Sequence, residues 1–514
     1  METKFRPFSP FSAGETFANP GRRAYIIRNI AAQREFTVDH GGNKYRIDMC
    51  RGPLFGKIIL FAIPLMIANA TQLLFNAADL IIVGRFAPHE AMAAVGACGA
   101  LLSLMLNFFF GLSVAANVLT ARYIGARDVR RTAHSVHTAI AVALYGGILL
   151  ALTGILISRP VLALMQTPAS VLPKATLYMF IYCAGAPFIL FYNFGSSILR
   201  ATGDTRRPLI YMVEAGFLNV GLNLFFVLVF KMDVAGVALA TLIANAFSSV
   251  MVGRALTGNR DSSRLIPRRI KFYPGILKDI LKIGIPAGIQ SSLFSFSNVI
   301  IQSTINKFGS EAVAGCAAGS SLEAITYVSF NAYYFAVISF VGQNHGARKF
   351  KRIRSSIIWC CLLGMATGMI FGWSTTLLGR RLLAIYNANP EVIEAGMLRV
   401  KFVIAPYFLC AAMDVVAGAL RGLGHSLTPM IVSLMGACIF RILWVLFVFP
   451  LDPTLSQLFL SYPVSWVLVL AVNGGLLWII CSRMLRAAAR RDFAPVSLLP
   501  LSWHPWHLRR HFSS

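Results

Sequence analysis

The stretch Ser197-Ile198-Leu199-Arg200-Ala201-Thr202-Gly203-Asp204, followed by Pro208, returns 221 residues later as Gly418-Ala419-Leu420-Arg421-Gly422-Leu423-Gly424-His425, followed by Pro429. The register is not local. Gly125-Ala126-Arg127 recurs as Gly346-Ala347-Arg348 at the same offset, and the block from Pro64 to Asn76 recurs from Pro286 to Asn298 at 222. Three anchors in one register imply two structurally equivalent halves. A repeat of this length built of hydrophobic segments is a signature of membrane transporters, so function is expected between the halves.

Composition places those halves in a membrane. The chain is 57% hydrophobic and only 13% charged, with a mean hydropathy of +0.67; ordinary soluble domains carry about 25% charged residues. A water-soluble enzyme is excluded. Runs long enough to cross a hydrocarbon core, about 20 residues each, fall near 58–83, 91–119, 133–157, 174–199, 208–230 and 234–256, and again near 276–305, 312–342, 355–379, 393–419, 427–450 and 456–482. The predicted fold is all-α and integral to the membrane, with twelve transmembrane helices in two six-helix lobes around a central cavity. Six is an even number of spans, so the repeats are parallel and related by an axis along the membrane normal.

Basic residues set the orientation, because cytoplasmic loops are enriched in Lys and Arg. The connections after the second, fourth, sixth, eighth and tenth spans carry Arg127, Arg130 and Arg131; Arg206 and Arg207; Arg264, Arg268 and Arg269; Arg348, Lys349 and Arg352; and Arg421. The alternate loops are poorer, with one exception at Arg380 and Arg381. Both termini are therefore expected in the cytoplasm. The net charge of +27 sits in these loops and in two basic tails, a pattern that fits topology and contact with anionic lipid; no nucleic-acid-binding motif accompanies it. The cysteines fall in or beside apolar spans without CxxC spacing and read as packing residues.

The domain reading follows. Residues 1–51 form a basic cytoplasmic tail, expected to be disordered and lipid-facing, with Met49 at its border an alternative translation start. Residues 52–256 form the N-terminal lobe, 257–274 a flexible cytoplasmic linker that lets the lobes rock, 275–484 the C-terminal lobe, and 485–514 a second basic tail.

At this point the residues resemble a known family. Asn76-Ala77-Ala78-Asp79 followed by Val83-Gly84-Arg85, the Gly-Ala-Arg turns, the paired Leu-Arg-x-x-Gly turns ending in Pro208 and Pro429, and Gln343-Asn344-His345-Gly346-Ala347 look like the multidrug and toxic compound extrusion (MATE) family over residues 52–486. The resemblance implies a monomeric secondary transporter of the bacterial cytoplasmic (inner) membrane. It would expel small organic cations, often aromatic, in exchange for H⁺ or Na⁺ by alternating access around a V-shaped cavity, with no cofactor.

Acids within apolar spans cost at least a few kcal/mol and must be paired, wet or protonated. Asp79, Glu214, Glu323 and Asp414 are the candidates. Asp79 ranks first: it falls where the family has a membrane acid in the first span, and its counterpart 222 residues later is the apolar Ile301. Asn219 and Asn223, four apart on one helical face, and Asn193 occupy places comparable to the family's polar cation-site residues and could supply oxygens around it. Some members have an acid where this chain has Asn223, and an amide carries no charge, which weakens a Na⁺ site relative to an H⁺ one. Glu323 and Asp414 lie in the C-terminal lobe, where Arg441 is a candidate charge partner to one of them. Glu214 lies close to Arg206 and Arg207 and could pair with them at the interface.

For the cargo, Phe108, Phe109, Phe110, Phe188, Phe191, Tyr192, Phe294, Phe296, Phe330, Tyr333, Tyr334, Phe335 and Tyr407 offer aromatic surface suited to flat cations, with fewer than a third expected to touch it. Pro64 and Pro286 read as kinks, and Arg200 and Arg421 as structural anchors. Two other classes compete. A flippase or exporter of lipid-linked oligosaccharide or metabolite predicts a strongly basic cavity, whereas acids and aromatics are expected here. An intramembrane enzyme needs a metal or nucleophile constellation, and His134 with His137 has no nearby carboxylate to complete one. No Walker-type loop occurs, which leaves an ion gradient as the energy source.

Overall fold

The computed structural model describes residues 45–86 and 89–491, and these are helical with short connections. The twelve expected spans are present in order. They are α1 (Leu54–Phe86), α2 (His89–Gly125), α3 (Val129–Leu164), α4 (Leu172–Ala184 and Ala186–Ala201), α5 (Arg206–Leu224, continued by a wider turn over Phe225–Val229) and α6 (Val234–Thr257). The second half repeats them as α7 (Pro274–Ile305), α8 (Ser310–Gly346), α9 (Phe350–Tyr386), α10 (Pro390–Ile404 and Tyr407–Gly422), α11 (Leu427–Leu451) and α12 (Leu455–Arg491). Many large apolar side chains on the outer faces are exposed, among them Leu156, Leu164, Leu377 and Ile385, as expected of helices whose solvent is lipid.

The repeat is visible in the backbone. The α4 pair is bent by 45° at Gly185, and the α10 pair by 42° at the junction before Tyr407. Proline explains part of this, since Pro187 and Pro406 stand at the breaks and a proline removes a helical donor. Gly203 and Gly424 both adopt positive φ, 91° and 92°, which glycine accepts without a Cβ penalty. Arg127 and Arg348 match as well, at 55° and 56°. Each ends its Gly-Ala-Arg turn with the same two closing bonds, Arg127 N to Ile124 O and Asp128 N to Tyr123 O, and Arg348 N to His345 O and Lys349 N to Asn344 O.

The lobes meet by exchange: α1 packs on α8, α7 packs on α2, and α2 crosses α8. Small residues allow this approach. Gly111 and Gly288 bring the α2 and α7 backbones into contact, and Ser339 donates to Asn117 Oδ1 at 3.1 Å across positions 222 residues apart.

Two connecting segments are more ordered than the sequence suggests. Residues 45–52 lie across both lobes: Ile47 N donates to Gly203 O, while Asn344 and Arg352 of the second lobe donate to Met49 O. Arg352 also reaches the carbonyls of Gly52 and Arg51, and Lys349 that of Cys50. Met49 is fully buried. The rest of the N-terminal tail and residues 492–514 lie outside the described residues. The linker, expected to be flexible, packs down as well, with Ser263 and Leu265 buried and Arg46 paired to Asp261. His137 accepts from Ile266 N at 3.1 Å, and His134 stacks on Tyr273 with ring centroids 3.7 Å apart. These histidines hold the linker against α3, and no metal-ligating cluster occurs among the described residues.

Candidate functional site

Asp79 lies on α1 and meets α5. Asn223 Nδ2 donates to Asp79 Oδ1 at 2.5 Å, and the same nitrogen is 3.2 Å from Asn219 Oδ1. With the Asn219 amide turned over, its nitrogen also donates to Asp79 Oδ1 at 2.7 Å while its oxygen accepts from Thr241 of α6. In that orientation Asn219 serves both the carboxylate and Thr241, and its nitrogen stands 3.2 Å from the Asn223 nitrogen, so both amides point their hydrogens at Asp79. The carboxylate is then gripped by two neutral amides and takes part in no ion pair among the described residues. Both asparagines are buried. They sit one turn apart, just before the wider turn at Phe225–Val229. Thr241 escaped the sequence reading because a lone threonine in an apolar span carries no signal above background.

Asn193 does not join this cluster through any described hydrogen bond. Its side chain donates to Ile189 O on its own helix and lines a cavity of about 300 Å³ between the lobes. The walls come from α1 (Asn69, Gln72, Asn76), α2 (Phe110), α4 (Tyr192, Asn193, Arg200), α5 (Met212) and α8 (Asn331, Phe335). Of the aromatics proposed for cargo contact, Phe110, Tyr192 and Phe335 face this space, while the Phe296 side chain is outside the described residues. The expectation of acids in the cavity fails: its lining holds amides, aromatics and one arginine, with neither Asp nor Glu.

The C-terminal acids have different partners from those expected. Glu323 is paired with Arg399 of α10 at 2.7 Å and accepts from Tyr407 Oη at 2.5 Å. Arg441 does not pair with either acid; its Nε donates to Ser465 and its guanidinium lies 4.0 Å from the Tyr462 ring centroid. Arg399 was missed because nothing in the sequence says that this face of α10 meets Glu323 on α8. Asp414 accepts from Tyr327 Oη at 3.3 Å, and Asn331 donates to that hydroxyl at 3.0 Å. A polar thread thus runs from the cavity wall to Asp414. Glu214 is exposed, and Arg207, one of its expected partners, is instead held by the buried Asp204. The basic exception at Arg380 also has a local answer, an ion pair with Glu394.

A matching family model decides the identity. The MatE model fits twice, at residues 64–225 and 286–446, together more than half of the chain. The chain belongs to the MatE family. Its two matches begin at the repeat-equivalent prolines, Pro64 and Pro286, and each runs through the first five helices of its half. The chain is 27% identical over 394 residues to a probable multidrug resistance protein, YpnP, of Bacillus subtilis, covering 77% of this chain and 88% of that one. It is 22% identical over 430 residues to the multidrug export protein MepA of Staphylococcus aureus, covering 82% and 91%. Among solved structures, an outward-facing multidrug resistance MATE family transporter of the MOP superfamily superposes with a TM-score of 0.80 at 22% identity, over 87% of this chain and 99% of that one. This MatE protein is a multi-pass membrane transporter with the two-lobe fold.

Proposed function

We propose that this MatE protein is a secondary antiporter of the cytoplasmic membrane that exports small organic cations or drugs as H⁺ or Na⁺ enters, with Asp79 as the coupling acid. The observation that carries the reading is the unpaired Asp79 carboxylate, held by Asn223 and Asn219 on α5. Asp79 is half-buried, and a carboxylate partly withdrawn from water within an apolar span without a counter-cation is costly and is relieved by binding a proton or a small cation. Amide donors already occupy one of its oxygens, and few neutral oxygens remain to complete a Na⁺ shell. Proton coupling is therefore favoured.

Alternating access follows from the way the lobes meet. In this state the end bearing the Gly-Ala-Arg turns, read as cytoplasmic from its basic loops, is sealed by backbone contact between α2 and α8. Ion release at Asp79 moves α1 relative to α5; α1 also forms one wall of the cavity, so the ion and cargo sites share a helix. The protein acts as a monomer, both termini cytoplasmic, its basic loops resting on anionic lipid. The alternative cargo, a lipid-linked oligosaccharide or metabolite, calls for a strongly basic cavity, and the single arginine in the lining falls short of one. Efflux of ethidium from proteoliposomes under separately imposed pH and Na⁺ gradients tests the reading. Transport driven by the pH gradient is expected, and the absence of ethidium transport under both gradients would refute drug export.

A further inference from the structure

We propose that the cavity between the lobes takes an anionic group of its cargo on Arg200, so that aromatic compounds carrying a carboxylate bind in preference to simple organic cations. The proposal rests on the drug-export reading and names the substrate class for that site.

Arg200 stands in the last turn of α4 and lines the cavity. It forms no ion pair among the described residues: one terminal nitrogen donates to Ser197 Oγ at 2.8 Å, and the guanidinium carbon is 4.9 Å from the Phe335 ring centroid. Its Nε is buried without a partner. The other arginines drawn into this protein are met in several ways, and Arg421 and Arg122 also keep buried nitrogens without a partner. Arg399 has Glu323 and Arg207 has Asp204. Arg421, the repeat equivalent of Arg200, spends its terminal nitrogens on Tyr334 and Gln290. The halves thus diverge at the position that opens onto the cavity.

A helix C-terminus and an aromatic face each offset part of the charge of the half-buried Arg200, but neither supplies a counter-charge, and a charge drawn out of water without one is costly. No acid lines the cavity to supply one from the protein. A carboxylate arriving with the cargo would meet the terminal guanidinium nitrogen that Ser197 leaves free, in a charge-assisted hydrogen bond. Phe110, Tyr192 and Phe335 provide stacking surface beside it, and about 300 Å³ is the size of a compact drug site. The ligand class is therefore an aromatic organic carboxylate, including amphoteric ones whose cationic end the amides of α1 can accept.

The test uses two fluorescent rhodamines that differ only in a free carboxylate or its methyl ester, titrated by fluorescence anisotropy into purified full-length protein in phosphatidylcholine nanodiscs. Wild type is expected to bind the carboxylate about tenfold tighter than the ester. Arg200→Gln should lose that preference while leaving ester binding within about twofold, and Arg200→Lys should retain part of it. Equal affinity for both dyes in wild type, binding of the ester alone, or an equal loss of both dyes in Arg200→Gln would overturn the proposal; the first two leave drug export standing, and the last makes Arg200 a helix anchor. If Arg200→Gln aggregates, wild type and Arg200→Lys decide by the same comparison. Failure to bind either dye defeats the drug-export reading and the proposal with it. In phosphatidylglycerol nanodiscs the preference should persist; its disappearance there would assign Arg200 to a lipid phosphate and overturn the cargo assignment.

Discussion

Gly125 and Gly346 each lie against the backbone of the other's helix: a β-carbon on Gly125 would stand 1.9 Å from the Gln343 carbonyl oxygen, and one on Gly346 1.9 Å from that of Arg122. The contact is reciprocal because the residues are repeat mates. It seals one end of the molecule with main chain rather than side chains, and only glycine permits that.

Substitution at either glycine should therefore unseal this end. Gly125→Ala or Gly346→Ala forces backbone displacement at a site with no room, an overpacking cost of about 1–3 kcal/mol, and this acts on the closed state alone. Spin labels at the exposed Arg130 and Lys351 positions should show a longer distance population in either variant than in wild type, measured by pulsed dipolar spectroscopy. An unchanged distance distribution would mean that the seal does not depend on this contact.

The segment over residues 45–52 gives a pH signature. Burial by itself would raise the Asp261 carboxyl, but hydrogen bonds and charge from Arg46, with help from Ser263, bring it below the usual carboxylate range. A depressed carboxyl stabilises the folded arrangement above its unfolded pKa, and that contribution is lost as pH falls through its folded value. Docking of the segment should thus hold through mildly acidic pH and weaken only below the ordinary carboxylate range. Arg46→Ala should loosen it already at neutral pH. Hydrogen exchange of a peptide covering residues 45–52, corrected for the intrinsic rate at each pH, reads both effects.

Glu323 and Arg399 make a sharp case for structure over transport. Their side chains are 18% and 10% exposed, and removing one member of such a pair leaves a stranded charge at a cost of about 3–5 kcal/mol. Arg399→Gln should lower the melting temperature in detergent more than the double variant Glu323→Gln with Arg399→Gln. Transport per folded molecule in the double variant should stay within about twofold of wild type, because truncating both partners removes the stranded charge. A double variant that is stable but inactive would place Glu323 in the transport cycle instead.

The frame of this molecule was legible because symmetry was written into the chain. A repeat at one offset fixes helix count and pairing together, and glycines at 203 and 424 announce turns that only their φ angles explain. Asp79 was legible from the family resemblance, which has a membrane acid in the first span, and from a break in symmetry, its counterpart in α7 being Ile301. Four-residue spacing put Asn219 and Asn223 on one helical face, and only the family resemblance pointed that face toward Asp79. Partners brought by other helices were not legible: Arg399 reaches Glu323 from α10, Asn193 turns to the cavity instead of Asp79, and Arg441 finds Ser465 and Tyr462. Periodicity says which residues share a face, while the rotation of one helix about another depends on packing that no local pattern encodes. The docked linker and the ordered 45–52 segment escaped for a related reason, since polar, basic composition marks a segment as water-compatible without saying that buried carbonyls await its donors.

The central claim is that Asp79 couples cargo export to ion entry, and the most direct measurement is ethidium transport in proteoliposomes by wild type and Asp79→Asn, with lumenal pH recorded alongside. Wild type should move ethidium and protons in opposite directions, and Asp79→Asn should bind ethidium normally yet lose gradient-driven transport by about a hundredfold or more. An Asp79→Asn protein that transports ethidium at the wild-type rate, with the same dependence on the gradient, would contradict the account.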